Sequence, residues 1–155
     1  MHVRVIALGT RPPGWVRAAC EDYITRLRSH LPVELIEVGT GERRSGAATR
    51  AVAREGQRVL AALRRQEYVV SLDERGREFS TRELTAWLGK RMQEGRDLAF
   101  LIGGPDGHAP EVLARSDMSL SLSRLTLPHA LARVLLLEQL YRAHSLLGNH
   151  PYHRD

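Results

Sequence analysis

Apolar and polar positions alternate over His2–Leu8, with Val3, Val5 and Ala7 on one face, and predict a β-strand that stops at Gly9-Thr10. The period then changes. Trp15, Val16, Ala19, Cys20, Tyr23, Ile24 and Leu27 mark one face of a helix. Val33–Val38 reads as a second strand and Gly39–Gly46 as a basic loop. Over Ala47–Leu63 the helical spacing turns Val52, Val59 and Leu63 inward and leaves Arg50, Arg54 and Arg58 as a stripe facing elsewhere. Glu67–Leu72 predicts a third strand followed by the turn Asp73-Glu74-Arg75-Gly76. Ser80-Thr81-Arg82-Glu83 is a capping box for a helix running to about Glu94. Leu98–Ile102 is a short, wholly apolar strand of the kind buried on both faces of a parallel sheet, and it runs into Gly103–Gly107. A brief helix at Pro110–Arg115, a strand at Met118–Leu122 and a helix from Pro128 to about Leu147 complete the series.

Strands alternating with helices predict an α/β fold, a mostly parallel sheet flanked by helices. No linker, repeat or low-complexity tract interrupts residues 1–155, so one domain is expected. The last helix is apolar around nearly its whole circumference, from Leu131 to Leu147, and such a helix must be covered all round. The sheet covers one side. We expect a second copy of the chain to cover the other, giving a C2 dimer; neighbouring helices are the alternative.

Composition narrows the class. At 155 residues, 43% apolar and 26% charged, the chain can bury a full core without metal or disulfide staples. The single Cys20 cannot form an intrachain bridge, no signal pattern opens the chain, and no apolar run reaches membrane-spanning length; a cytoplasmic protein without membrane partners is expected. The net charge of +5 is local, since Gly41–Arg65 carries seven arginines against Glu42 and Glu55. A basic face on an otherwise neutral domain points to a polyanion, nucleic acid before membrane. With Lys90 the only lysine among 23 basic residues, genomic base composition offers a rival explanation.

In parallel α/β sheets ligands bind beyond the carboxyl ends of the strands. Three loops qualify: Leu72-Asp73-Glu74, Gly103–Gly107, and Leu122-Ser123-Arg124-Leu125-Thr126-Leu127. Neither G-x-G-x-x-G nor a phosphate-binding G-x-x-x-x-G-K-[ST] occurs, which argues against dinucleotide and P-loop chemistry. His150 and His153 lie close together, but no carboxylate or cysteine completes a metal site, so none is expected. The tail Gly148–Asp155 instead gathers imidazole, phenol and guanidinium, groups suited to stacking on a base, holding phosphate and moving a proton.

Five segments in order resemble one family: Ile6–Thr10, Leu101–Gly107, Leu122–His129, Arg133–Ala143 with its Glu138-Gln139 and Tyr141-Arg142, and Asn149–Arg154. Together they resemble the ribosomal RNA large subunit methyltransferase H family, of the SPOUT class, from end to end of the chain. The resemblance implies a C-terminal trefoil knot, contrary to the general rule that chains do not thread. It also implies S-adenosylmethionine-dependent methylation of N3 of a pseudouridine in large-subunit (23S) rRNA, carried out by a homodimer on the assembled ribosome, with the active site near the subunit interface. The donor-holding positions implied are Leu72, Gly103 and the stretch Leu122, Ser123, Arg124, Leu125, Thr126 and Leu127. His144 stands where relatives often carry an aromatic residue.

The donor carries an activated methyl group, so the protein is expected to work by positioning donor and acceptor and by easing proton loss at the acceptor nitrogen. His129 and His153 are the candidate bases, Arg142 and Arg154 the candidate charge stabilisers, and Tyr152 a stacking or hydrogen-bonding group. The basic stripe, with Arg43 and Arg44, is expected to hold RNA phosphates. Two readings compete: an RNA-binding or ribosome-assembly factor without catalysis, opposed by the intact donor loops, and methylation of another RNA position or of tRNA.

Overall fold

The structure, a computed structural model, describes residues 1–43 and 48–148. Five strands form one sheet in the order β2-β1-β4-β3-β5, and every neighbouring pair is parallel. They are β1 (Val3–Leu8), β2 (Val33–Val38), β3 (Tyr68–Glu78), β4 (Leu98–Ile102) and β5 (Met118–Ser121). The intervening helices are α1 (Gly14–Leu27), α2 (Ala48–Ala62), α3 (Thr81–Glu94) and α4 (Pro110–Arg115), with α5 (His129–Leu147) last. Helices α1, α3 and α5 cover one face of the sheet, and α2 and α4 the other. The α/β architecture read from the sequence is therefore the observed one.

Strand β1 shows why alternation understates burial in such a sheet. Val3, Val5 and Ala7 join the core under α1 and α5, while Ile6 and Leu8 face α2 and α4, so all six residues are buried. Arg4 is buried with them because its Nη1 pairs with the Glu67 carboxylate at 2.7 Å and its Nη2 donates to Ala62 O at 2.8 Å. The capping box forms as read: Glu83 N donates to Ser80 Oγ at 3.1 Å and Ser80 N to Glu83 Oε2 at 2.7 Å.

Two elements differ from expectation. Strand β3 does not end at Leu72 but continues to Glu78, with Leu120 of β5 facing first Leu72 and then Arg77. The expected turn Asp73–Gly76 is thus an excursion inside a strand, thrown outward and recaptured by the same partner. Gly76 makes the recapture possible: a Cβ there would sit 2.7 Å from the Leu120 nitrogen and the Ser119 carbonyl carbon. In α2 the inward face is Ala51, Glu55, Gly56 and Val59, rotated from the Val52, Val59 and Leu63 face that hydropathy selects. The rotation buries a carboxylate, which an arginine from the preceding loop makes tolerable, as described below.

Helix α5 lies between α1 and α3, and Thr81 Oγ1 donates to Gln139 Oε1 across the α3 contact at 2.7 Å. Neighbouring helices therefore cover a large share of its apolar circumference, while Leu131, Val134 and Leu135 stay half-buried. Among the described residues, no helix is long and apolar enough to cross a membrane.

Candidate active site

The carboxyl ends of β3, β4 and β5 open into one cleft of about 720 Å³. Its walls are the β3 excursion, the β4–α4 turn Gly103–Gly107, and the segment from Leu120 to His129 that leads into α5. The three loops singled out in the sequence thus meet at one place. Leu72, Gly103, Leu122, Ser123, Leu125, Thr126 and Leu127 all line the cleft, and so does His129. Arg124 is exposed and is not among the lining residues. Arg142 is also absent from the lining; it lies farther along α5, where its Nε and Nη2 reach Glu138 at 3.0 and 2.9 Å. Tyr152, His153 and Arg154 lie outside the described residues, as does Arg44.

Each wall has a local cause. In the β4–α4 turn Gly107 takes φ +78°, and its N–H donates to Gly104 O at 3.1 Å. The chain folds back so closely that a Cβ on Gly103 would lie 3.1 Å from the Gly107 carbonyl carbon. His108 braces the turn from behind, its Nε2–H donating to Leu101 O at 3.2 Å while the buried Nδ1 has no partner. Burial holds the His108 pKa below its ordinary value, so the ring stays neutral. In the third wall Ser123 organises the loop, its Oγ accepting from Leu125 N and its carbonyl accepting from Ser121 Oγ, both at 2.9 Å. Thr126 Oγ1 donates to Glu74 Oε2 at 3.4 Å, joining the first wall to the third.

The chemistry of the lining is mixed. Leu72, Ile102, Leu120, Leu122 and Leu127 offer apolar surface; among the described lining residues Asp73 and Glu74 place two carboxylates beside Arg75, while the third, Asp106, is paired with Arg43 at 2.7 Å. Such a lining suits a ligand with an apolar ring and a positively charged end. Among the described residues no group of side chains is arranged to hold a metal ion.

His129 enters the cleft from the first turn of α5. Burial first, then the positive charges of Arg133 and Arg43, hold its pKa below the ordinary imidazole value despite Glu55 nearby. The ring is therefore neutral at physiological pH and has a lone pair available. Arg133, one turn on, fixes the helix to the sheet. It is 1% exposed, and its Nη1 meets Glu37 at 2.7 Å. Its Nη2 donates to Leu8 O at 3.0 Å and Gly9 O at 2.6 Å. Sequence reasoning missed this role, although an arginine set within the apolar run Leu131–Leu137 was the available signal.

The basic segment behaves differently from its composition. Arg43 is bound to Glu55 and Asp106, and Arg58 Nη1 donates to the carbonyls of Gly39 and Thr40 at 2.8 and 2.9 Å. Two members of the expected phosphate-binding set are thus occupied in holding the β2–α2 loop. Arg50 and Arg54 lie exposed on α2.

A five-stranded parallel sheet with its cleft at the strand ends, lined by a glycine turn and a leucine-rich loop, defines a ligand-binding α/β domain. Comparison with known proteins specifies the class. Residues 1–153 match the family model described as "Predicted SPOUT methyltransferase". The chain is 50% identical over 155 residues to Ribosomal RNA large subunit methyltransferase H of Stenotrophomonas maltophilia strain K279a, covering 99% of each chain. Two solved structures share the fold at lower identity. A probable methylase family protein from Haemophilus influenzae superposes with TM-score 0.57 at 17% identity, covering 99% of this chain and 70% of the other. A probable methyltransferase from Bordetella pertussis gives TM-score 0.57 at 19% identity, covering 92% and 95%. The chain belongs to the SPOUT methyltransferase family, and the family resemblance drawn from the sequence motifs holds.

Proposed function

We propose that this chain is an S-adenosylmethionine-dependent methyltransferase acting on large-subunit ribosomal RNA, with N3 of a pseudouridine as the acceptor. The observation that carries the reading is the convergence of Leu72, Gly103 and the Leu122–Leu127 segment on one acidic, partly apolar cleft. The residues fit the donor on physical grounds. The leucines offer a slot for an adenine ring, the folded-back turn leaves main-chain groups accessible, and the carboxylates complement a sulfonium and an ammonium. Leu72, Gly103, Leu122, Ser123, Leu125, Thr126 and Leu127 would hold the donor. Arg124, exposed beside them, would contribute through its backbone.

The donor supplies a methyl group already activated on a sulfonium, and the chain's own contribution is placement and proton handling. The cleft walls fix the donor's orientation. His129, kept neutral, can accept the acceptor nitrogen's proton, and His153 of the tail is the other candidate. Arg142 or Arg154 would stabilise the developing charge and Tyr152 would stack on or hydrogen-bond the base, each brought to the cleft by the tail or by a second subunit. The homodimer with its active site near the interface, the C-terminal knot, the cytoplasmic location and action on the assembled ribosome belong to the same proposal; family membership supports them.

Incubating the chain with S-adenosylmethionine and large ribosomal subunits, then mapping the rRNA by mass spectrometry, tests the proposal. A single added methyl on a pseudouridine is expected. Unmodified subunits alongside methylated tRNA would refute it.

A further inference from the structure

We propose that Arg43 is a positioning residue for the donor cleft: it clips the β2–α2 loop to the β4–α4 turn and so fixes the wall formed by Gly103–Gly107. This inference rests on reading the cleft as the donor site. Composition assigns Arg43 to a phosphate-binding patch, but its guanidinium is already committed. Nη2 and Nη1 fork onto the Glu55 carboxylate at 2.7 and 3.2 Å, Nη1 also donates to Gly41 O at 3.2 Å, and Nε donates to Asp106 Oδ2 at 2.7 Å. Glu55 is 1% exposed, and its buried carboxylate is compensated by that fork and by the Gly41 N–H at 3.3 Å.

The same carboxylate lies directly behind the turn. A Cβ on Gly104 would stand 3.4 Å from Glu55 Oε2 and 3.7 Å from Arg43 Nη2. Asp106 lines the cleft, while Glu55 sits on α2 beneath it. One planar cation therefore joins three separate segments, the β2–α2 loop, helix α2 and the cleft-lining turn. A flat fork with side and end donors does this; lysine, a point charge, does not. The loop that delivers it is itself anchored, since a Cβ on Gly41 would fall 2.8 Å from the Ala51 backbone. A load on the basic face would thus reach the donor wall through Arg43.

The test uses Arg43→Gln, Asp106→Asn and their combination in the full chain. Asp106→Asn leaves the buried Arg43–Glu55 pair in place and protects the measurement against misfolding. Calorimetry with S-adenosylhomocysteine should show binding weakened about threefold to tenfold in each single variant. The double variant should be no weaker than the worse single, since Arg43→Gln already removes the Asp106 bond that Asp106→Asn disrupts. Hydrogen exchange at the Gly104, Asp106 and Gly107 amides should accelerate in both, without any ligand, and the salt dependence of binding to an rRNA fragment should stay unchanged. Native affinity with native exchange in both variants overturns the inference, as do additive losses. So does a salt slope reduced by about one in Arg43→Gln, the mark of a phosphate contact. If the native chain fails to bind S-adenosylhomocysteine, the donor reading falls, and the exchange measurement decides the clip alone.

Discussion

Replacing Gly76 by alanine should damage the cleft through the sheet, with no functional group removed. Strand β3 leaves β5 after Leu72 and rejoins it at Arg77, both facing Leu120, so Gly76 is the last residue of the excursion that puts Asp73, Glu74 and Arg75 on the cleft wall. An alanine Cβ there would meet the Leu120 nitrogen at 2.7 Å, the Ser119 carbonyl carbon at 2.7 Å and the Leu120 carbonyl carbon at 2.8 Å. These are backbone atoms of a paired strand, so no rotamer change relieves the overlap. Either β5 shifts away from β3 or the excursion moves. Overpacking of this kind costs about 3 kcal/mol, at the upper end of its usual range. For a chain of 155 residues that lowers Tm by roughly 6–12 °C. Because Leu72 and Leu120 flank the distortion, S-adenosylhomocysteine affinity should fall as well. Thermal unfolding followed by circular dichroism, with calorimetry alongside, measures both effects. Gly14→Ala is the control, since nothing lies within 4 Å of its added methyl. If Gly76→Ala melts within about 2 °C of the native chain, well inside the expected drop, and binds equally well, the reasoning from the excursion is refuted.

Other outcomes follow from single groups. His129→Ala should slow methyl transfer about a hundredfold with donor affinity retained, as measured by single turnover. The native acid limb should lie below pH 6.5 because the folded pKa is depressed; an unchanged profile in the variant would assign the base elsewhere. Buried His108 makes stability depend on pH: the folded ring binds fewer protons than the unfolded one, so its contribution is full above the unfolded pKa near 6.5. That contribution is lost as pH falls through this value toward the lower folded pKa, at no more than about 1.4 kcal/mol per pH unit. Denaturant titrations of His108→Leu should show a flatter dependence there. Glu67→Ala strands Arg4 in the core and should cost about 3 kcal/mol in urea unfolding, yet leave donor affinity intact because the pair sits at the opposite end of the sheet. Charge reversal at Arg50 and Arg54 should lower affinity for an rRNA fragment and reduce its salt slope by about one for each phosphate no longer neutralised.

Periodicity, helped by the capping box of α3 and the unbroken apolarity of β4, was enough to locate the strands and helices of the described residues, but not the end of β3 or the inward face of α2. Leu98–Ile102 needed only its unbroken apolarity to be recognised as central, and it lies between β1 and β3. The loops at the strand ends were legible for the same topological reason, and glycine and serine marked where they turn. What stayed hidden depended on pairing between distant residues. Glu55 reads as solvated until Arg43, brought back by the loop, meets it; the helix then turns a carboxylate inward. The β3 excursion looks like a terminal turn because local sequence does not show that Leu120 is used twice. Arg133 interrupts an apolar helix, but its targets, Glu37 and the end of β1, lie about 96 and 124 positions away in sequence. Motif matching, in contrast to periodicity, joined the three donor loops to a single chemistry.

Crystallising the chain with S-adenosylhomocysteine tests the central claim most directly. The nucleoside should lie between Leu72 and the Leu122–Leu127 segment, with its amino-acid end toward the carboxylates and main-chain groups of Gly103 within hydrogen-bonding distance. Density for the ligand at any other surface, with the ends of β3, β4 and β5 holding only solvent, would contradict it.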